Sequence, residues 1–302
     1  MTDKRFFDVI IIGGSYAGLS AAMALGRSMR EVLIIDNGQP CNSQTPYSHN
    51  FITQDGETPG AITEKAKTQV LKYQTINFHK ATAISARKED SLFFVNTSTG
   101  EEFRAQKLIL ASGVKDQLPD IKGFADCWGI SVVHCPYCHG YEFKDKKTGI
   151  IANGEKAYHL ASLINNLTNN ITILTSGTTD FSAEQLSKLD AHDIKLRDAK
   201  ITEILHEQGQ VKGVIFEDGE IVHFDALYAV VDFTQHSDIP ASLGCEFLEQ
   251  GHIKVDSHQK TSVQGVFACG DNSNMMRSVA NAVASGNLAG AIVNKELTDE
   301  RF

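Results

Sequence analysis

The feature that most limits the fold is a strand-like run at residues 7–12 (FDVIII). It breaks at Gly13-Gly14-Ser15-Tyr16-Ala17-Gly18, passes into a helical pattern over residues 19–29, and is followed by a second apolar run at 32–35 that ends on Asp36. Strand, glycine turn, helix, strand and then an acid about twenty residues beyond the turn is the order of a dinucleotide cradle. Gly13 permits the tight turn and Gly18 lets helix and strand pack closely. The helix N-terminus offers N–H groups and a positive dipole end to a pyrophosphate. Asp36 is placed to accept hydrogen bonds from an adenosine ribose. The middle glycine of G-x-G-x-x-G is replaced by Ser15, so on this turn alone an ordinary βα connection in an unrelated α/β protein stays open.

The unit recurs in weaker form. Residues 147–151 lead into Ala152-Asn153-Gly154-Glu155-Lys156-Ala157, a helical stretch to residue 167 and a strand at 171–174. Between the two units, residues 107–110 (KLIL) run into Ala111-Ser112-Gly113, a strand end that a ligand backbone can approach. Strand-like runs at 211–216 and 221–231 precede Gly265-Val266-Phe267-Ala268-Cys269-Gly270-Asp271 and a small-residue helix over 278–297. The order fits an α/β fold of two Rossmann-like three-layer domains, the second inserted in the first.

A chain of 302 residues buries roughly 75% of its unfolded surface and needs no disulfide staple. With 28 Lys+Arg against 37 Asp+Glu the formal charge is −9, and the longest basic runs are pairs such as Lys146-Lys147. That balance argues against a nucleic-acid or anionic-membrane surface. No run reaches the ~20 apolar residues of a membrane helix, and the first residues carry no cleavable apolar segment. The expectation is a soluble cytoplasmic protein.

Of the six cysteines, only Cys135 and Cys138 are closely spaced. Two thiols two residues apart can close a small-loop disulfide, and a helix N-terminus beneath them lowers one thiol's pKa so that thiolate is present at neutral pH. In a reducing compartment such a pair is a catalytic candidate. Three other readings compete. The c-type haem string Cys-x-x-Cys-His belongs outside the cytoplasm. A zinc half-site, His134-Cys135-x-x-Cys138-His139, lacks a second Cys/His pair at ligand spacing. Two buried structural thiols form the third. Cys127, Cys245 and Cys269 read as core or surface residues, while Cys41, after the loop that follows Asp36, can approach the adenine side of a nucleotide. His49, just before Asn50, can line a cofactor pocket but reads more simply as a hydrogen-bonding surface histidine of a loop, His134 as a half-buried structural histidine, and Gln235-His236 as a hinge or interface.

The glycine turn with Asp36, the Ala111-Ser112-Gly113 strand end, Cys135-Pro136-Tyr137-Cys138 and the terminal Gly270-Asp271 with its helix span nearly the whole chain. In this order they resemble the low-molecular-weight thioredoxin reductase family of flavoproteins. The string Cys135-Pro136-Tyr137-Cys138-His139-Gly140-Tyr141-Glu142 is closer still to a branch of bacterial thioredoxin reductase-like proteins. That branch also holds the dithiol oxidases of gliotoxin- and holomycin-type natural products. The resemblance implies an FAD domain built from residues 1–115 and 246–302, an inserted nucleotide-binding-like domain at 116–245, and a homodimer. It implies that Gly13, Gly14, Ser15, Ala17 and Gly18 hold the FAD pyrophosphate and Asp36 the ribose. Asn50 then lies near the flavin ring, and the Ala111-Ser112-Gly113 strand end lies against the cofactor. Gly270 and Asp271 match the family's ribityl- and phosphate-binding pair, and Arg277, Ser278 and Val279 open a helix facing the flavin N1/O2 edge. Cys138 is implied to lie against the flavin C4a and Cys135 to be the exposed interchange thiol. His139 stands where thioredoxin reductases carry an acid, and an imidazole with an ordinary pKa near 6.5 suits a proton shuttle there.

An NADPH-dependent member carries a second intact glycine turn and a basic cluster after the next strand. Here Ala152 replaces the first glycine, Glu155 brings a negative charge, and Thr175-Ser176-Gly177-Thr178-Thr179-Asp180 contains no Arg or Lys. NADPH and NADH are therefore expected to bind weakly or not at all. The first functional reading is thiol/disulfide exchange coupling FAD to a thioredoxin-like protein or a small dithiol/disulfide, with a ferredoxin-like donor. The alternative is an oxygen-dependent oxidase that closes a disulfide in a small molecule. A third is a flavin-binding protein without turnover.

Overall fold

The computed structural model describes residues 5–302. Contacts divide the chain into two compact units: the described residues up to Ser43 with Phe51–Lys115 and Phe233–Phe302, and a second unit of Gln44–Asn50 with Asp116–Asp232.

In the first unit, four parallel strands lie in the order Ile76–Lys80, Val32–Asp36, Phe6–Ile12, Glu102–Leu110, and the antiparallel strands Leu92–Thr97 and Ala83–Glu89 continue the sheet. Val266–Ala268 adds to Glu102–Leu110 in parallel. The central strands are near-continuous Val/Ile/Leu runs because both faces are covered. Val9, Ile11, Ile34 and Ile109 pack with Leu19, Leu25 and Val293 on one face. Ile10, Ile12, Leu33 and Leu108 pack with Phe93, Ile239 and Cys245 on the other. The first helix, Tyr16–Arg27, and the last, Val279–Asp299, meet closely: a Cβ on Gly286 would overlap the Ala17 carbonyl, and Ser20 Oγ donates to the Val283 carbonyl at 2.7 Å. Close packing thus accounts for the small residues of the last helix.

The second unit holds a five-stranded parallel sheet in the order Lys195–Arg197, Ile171–Leu174, Thr148–Ile151, Ala226–Ala229, Val132–Val133. It also holds a three-stranded antiparallel sheet of Ile201–Glu207, Gln210–Phe216 and Ile221–Val222. The helix Gly154–Ile164 buries Ala157, Leu160, Ala161 and Ile164 with Ile150 and Ile173 of the parallel sheet.

Two sequence expectations change. The run at 221–231 is not one strand: it splits into Ile221–Val222 and Ala226–Ala229, and the two pieces join different sheets. The return to the first unit comes at Phe233 rather than residue 246, because Ile239 and Cys245 are buried in the first unit's core. No helix among the described residues is long and apolar enough to cross a membrane.

Candidate active site

In the first unit the glycine turn is held from both sides. Gly13 has φ +106°, closed to most side chains, and a Cβ there would overlap the Ala111 carbonyl. A Cβ on Gly18 would overlap the Gly13 carbonyl, so the helix starts in contact with the strand it leaves. Asp36 accepts from the Gly14 N–H at 2.8 Å with one carboxylate oxygen and from the Gly38 N–H at 2.9 Å with the other. It is thereby fixed across the strand ends. Ser15 is the N-cap of the first helix, yet its side chain makes no capping bond, and the first turn carries no acid. The dipole end is left open to an anion. Gly270, at φ +83°, donates its N–H to Ser285 Oγ at 3.1 Å, and a Cβ there would come within 2.9 Å of the Ala17 Cβ. The loop after Val266–Ala268 is thus seated beside the same helix start. Ser278 caps the last helix by accepting from the Asn281 N–H at 3.2 Å, with Val279 as its first residue. Arg277 Nε lies 3.7 Å from Asp271 Oδ2. Cys41 is exposed, its Sγ 4.0 Å from Asp271 Oδ2, so it stands beside the Gly270-Asp271 loop. Gln235 Nε2 donates to the carbonyls of Gly251 and Asn272, both at 2.9 Å, within the first unit.

In the second unit Cys135 and Cys138 form a disulfide with Cα atoms 5.3 Å apart. Cys135 is the N-cap of the turn Pro136–His139; its Sγ accepts from the Cys138 N–H at 3.2 Å, and its carbonyl accepts from the His139 N–H at 3.2 Å. Pro at the first helical position presets the turn. The N–H directed at Cys135 sulfur favours a thiolate there once the disulfide opens. His139 departs from the expected ordinary imidazole. Burial, with the charge of His49 adding to it, pushes its pKa down to about 4. It is a neutral base at neutral pH. The three buried thiols are kept protonated by burial: Cys127 is pushed up to about 11, Cys269 to about 12, and Cys245 upward. His134 stacks on Trp128 with ring centroids 5.9 Å apart, in keeping with a structural histidine. Asn50, at φ +58°, and His49 group by their contacts with the second unit, although the chain on either side of residues 44–50 belongs to the first.

The second turn differs from the first in one decisive respect. Asn153 is the N-cap of Gly154–Ile164, and its Oδ1 accepts from the Gly154 N–H at 2.9 Å and from the Asp180 N–H at 3.0 Å. Its Nδ2 donates to the Thr178 carbonyl at 2.8 Å. A Cβ on Gly154 would stand 2.9 Å from the Asp180 carbonyl and 3.3 Å from its carboxylate. The 178–180 loop therefore lies against the start of this helix. Glu155 is drawn aside, accepting from Gln185 Nε2 at 2.6 Å. Sequence reasoning found no cation in the 175–180 segment, but folding brings Arg197 beside it: the Thr175 N–H donates to the Arg197 carbonyl at 2.9 Å. That guanidinium is committed to Asp218 and Glu220, both at 2.8 Å. Among the described residues, no group of three or more His, Cys, Asp or Glu side chains is placed to hold a metal ion.

Two Rossmann-like units, one carrying a Cys-x-x-Cys disulfide, define a flavoprotein-type disulfide oxidoreductase. The chain belongs to the pyridine nucleotide-disulphide oxidoreductase family, which it matches over residues 7–286, and within it is thioredoxin reductase-like. It is 34% identical to thioredoxin reductase tcpT of Claviceps purpurea over 98% of this chain and 96% of that protein. The oxidoreductase of Agrobacterium tumefaciens superposes with TM-score 0.91 at 37% identity, covering 97% of this chain and 99% of the other. HlmI superposes with TM-score 0.92 at 28% identity, covering all of this chain and 95% of the other.

Proposed function

We propose that the protein is an FAD-dependent thiol/disulfide oxidoreductase that exchanges electrons between flavin and an external dithiol or disulfide through Cys135 and Cys138, without efficient use of NADPH. The observation that carries the reading is the Cys135–Cys138 disulfide with its sulfur-directed N–H and the neutral base His139 one residue on. The first unit fits the cofactor. The open helix start at Ser15, the Cβ-free turn at Gly13, Gly14 and Gly18, and Asp36 fixed by Gly14 and Gly38 suit a pyrophosphate and a ribose. Ala17, the Ala111-Ser112-Gly113 strand end, Gly270, Asp271, Ser278 and Val279 complete the proposed set. When bound, FAD supplies an acceptor or donor for the electron pair of the two cysteines.

The residues then divide the work. Cys135, whose sulfur receives the backbone N–H, exchanges with the external thiol or disulfide. Cys138 closes the pair. His139 takes the proton from a thiol as it becomes thiolate. An imidazole where the family usually carries an acid favours the dithiol-oxidising direction, with a small dithiol as substrate and, as the second reading, oxygen as final acceptor. Burial makes His139 a weaker base, so it holds the proton only in passing. Thioredoxin-like protein partners, a ferredoxin-like donor and a homodimer belong to the same proposal.

Two measurements check it. Anaerobic mixing with a modest excess of NADPH is expected to leave the oxidised flavin band standing while a small dithiol bleaches it; rapid bleaching by NADPH would overturn the cofactor part. The rate of dithiol bleaching is also expected to keep His139 active well below pH 6.5. His139 must be uncharged to accept a proton, so its contribution is complete above its pKa and lost as pH falls through about 4. An acid limb centred near the ordinary imidazole value of about 6.5 would remove this role.

A further inference from the structure

His139 and Glu142 lie three residues apart on continuous helical backbone: the turn Pro136–His139 runs through Gly140, itself at φ −68° and ψ −34°, into the 3-10 turn Tyr141–Phe143. Such spacing places both side chains on one face. Across from them, the segment Gln44–Asn50 packs into the same unit and sets His49 Nε2 3.6 Å from Glu142 Oε1. His139 and His49 are both partly buried, and Glu142 is the most exposed of the three, its side chain 38% exposed against 20% for that of His49. His49 is close enough to His139 for its charge to lower that group's proton affinity. The other charged neighbour on this turn, Lys144, is engaged with Tyr141, its Nζ 3.4 Å from the phenol oxygen.

We infer that His49 and Glu142 form the outer part of a proton relay that connects His139, beside the redox cysteines, to solvent. The inference rests on the thiol/disulfide reading above. Exchange of an external dithiol with the Cys135–Cys138 disulfide moves two hydrogens onto the cysteines: one S–S bond opens and another forms. Reclosing the cysteine pair forms one S–S bond and releases an electron pair and two protons. The electron pair and one proton go to the flavin as acceptor. The remaining proton has to leave a partly buried site. His139 accepts it, His49 passes it on, and the carboxylate of Glu142 delivers it to water. His49 and Glu142 act through His139 and are positioning residues by this account.

The test uses the flavin-loaded protein, reduced anaerobically by dithiothreitol in a stopped-flow instrument in dilute buffer. Glu142→Gln and His49→Gln are each expected to slow flavin bleaching on the order of tenfold. Added imidazole or formate, small enough to carry protons directly, should restore most of the rate in both variants and leave the wild type unchanged. Ring resonances of isotope-labelled histidine give a readout free of turnover: His49→Gln should move the His139 midpoint up from about 4. Variants as fast as wild type in dilute buffer, or slow variants that no buffer rescues, would overturn the relay while leaving the thiol reading in place. A wild type that dithiothreitol fails to bleach would take down both.

Discussion

Cys138→Ser is expected to stop dithiol-driven flavin reduction, lowering its rate by about a thousandfold or more, to the background reaction of dithiol with flavin. The geometry makes the loss sharper than a general weakening. Cys135 keeps its carbonyl bond to the His139 N–H and its place as N-cap, so the variant still presents a thiol with a backbone N–H aimed at its sulfur. It should therefore attack an external disulfide normally and then stall. The second thiol that would release the mixed disulfide is gone. Mass spectrometry after incubation with a small disulfide should show one adduct per chain, on Cys135, while the flavin stays oxidised. Cys135→Ser should lose reduction equally but collect no such adduct. Burial holds Cys127, Cys245 and Cys269 protonated, and the exposed Cys41, which would take an adduct of its own, is replaced by serine in both variants. Bleaching of the Cys138 variant at the wild-type rate would remove the cysteine pair from the pathway and favour a flavin-binding protein whose cysteines serve another purpose.

The parts of this site legible in the sequence are those whose causes are local. The glycine turn at residues 13–18 can be read because its glycines respond to contacts within one strand–turn–helix unit and to Ala111, the end of the neighbouring strand. The cysteine pair and its cap are contained in four residues. In the second turn, the loss of Ala152's glycine was legible, but the loop against the helix start was not. Asn153 is a favoured N-cap residue, a signal the sequence does carry. Its bonds to Thr178 and Asp180 span 25 and 27 residues. Arg197 shows the reverse effect: strand pairing supplies the cation the 175–180 segment lacks, and Asp218 and Glu220 then consume it. The partnership of His49 with Glu142 had no local signature at all, because the segment 44–50 packs with a different unit from its flanks. Burial first, and the charge of His49 second, moved His139 away from its ordinary pKa, which composition and spacing cannot report.

These contrasts make the two nucleotide-like units an internal comparison. Both carry a strand, a turn and a helix start. In the first, Ser15 leaves the N-terminus uncapped and Asp36 is spanned by backbone N–H groups at its edge. In the second, Asn153 caps the helix and Asp180 lies over the turn. A helix start whose first N–H is taken by the Asn153 side chain, with a carboxylate beside it, is a poorer anion site than the uncapped one, and this supports the proposed weak use of NADPH. The inserted unit keeps its sheet and helix, and its use in the proposed reaction is to hold the cysteine turn.

Gly18→Ala should abolish flavin retention and lower stability together, because its Cβ would overlap the Gly13 carbonyl, a backbone atom of the turn itself. Relief requires the first helix to move away from its strand. The same movement disturbs Gly270 beside Ala17 and Gly286 against the Ala17 carbonyl, two contacts that seat the other edge of the proposed cofactor site. Overpacking of this kind costs about 1–3 kcal/mol, or about 2–4 °C in Tm per kcal/mol for a domain of this size. Loss of a ligand that stabilises the folded state adds to the fall. Gly290→Ala separates the two effects. Its Cβ would stand 2.5 Å from the Ala21 carbonyl, one turn farther along the same helix pair and away from the glycine turn. That variant should lose stability to a similar degree and still purify yellow. Gly60→Ala, in the helix Pro59–Val70 with nothing within 4 Å of the new Cβ, should leave the flavin content unchanged and hold or slightly raise Tm. Flavin content from the visible spectrum and Tm from thermal melts decide the matter. A Gly18→Ala protein with full flavin and an unchanged Tm would show that the turn does not hold the cofactor.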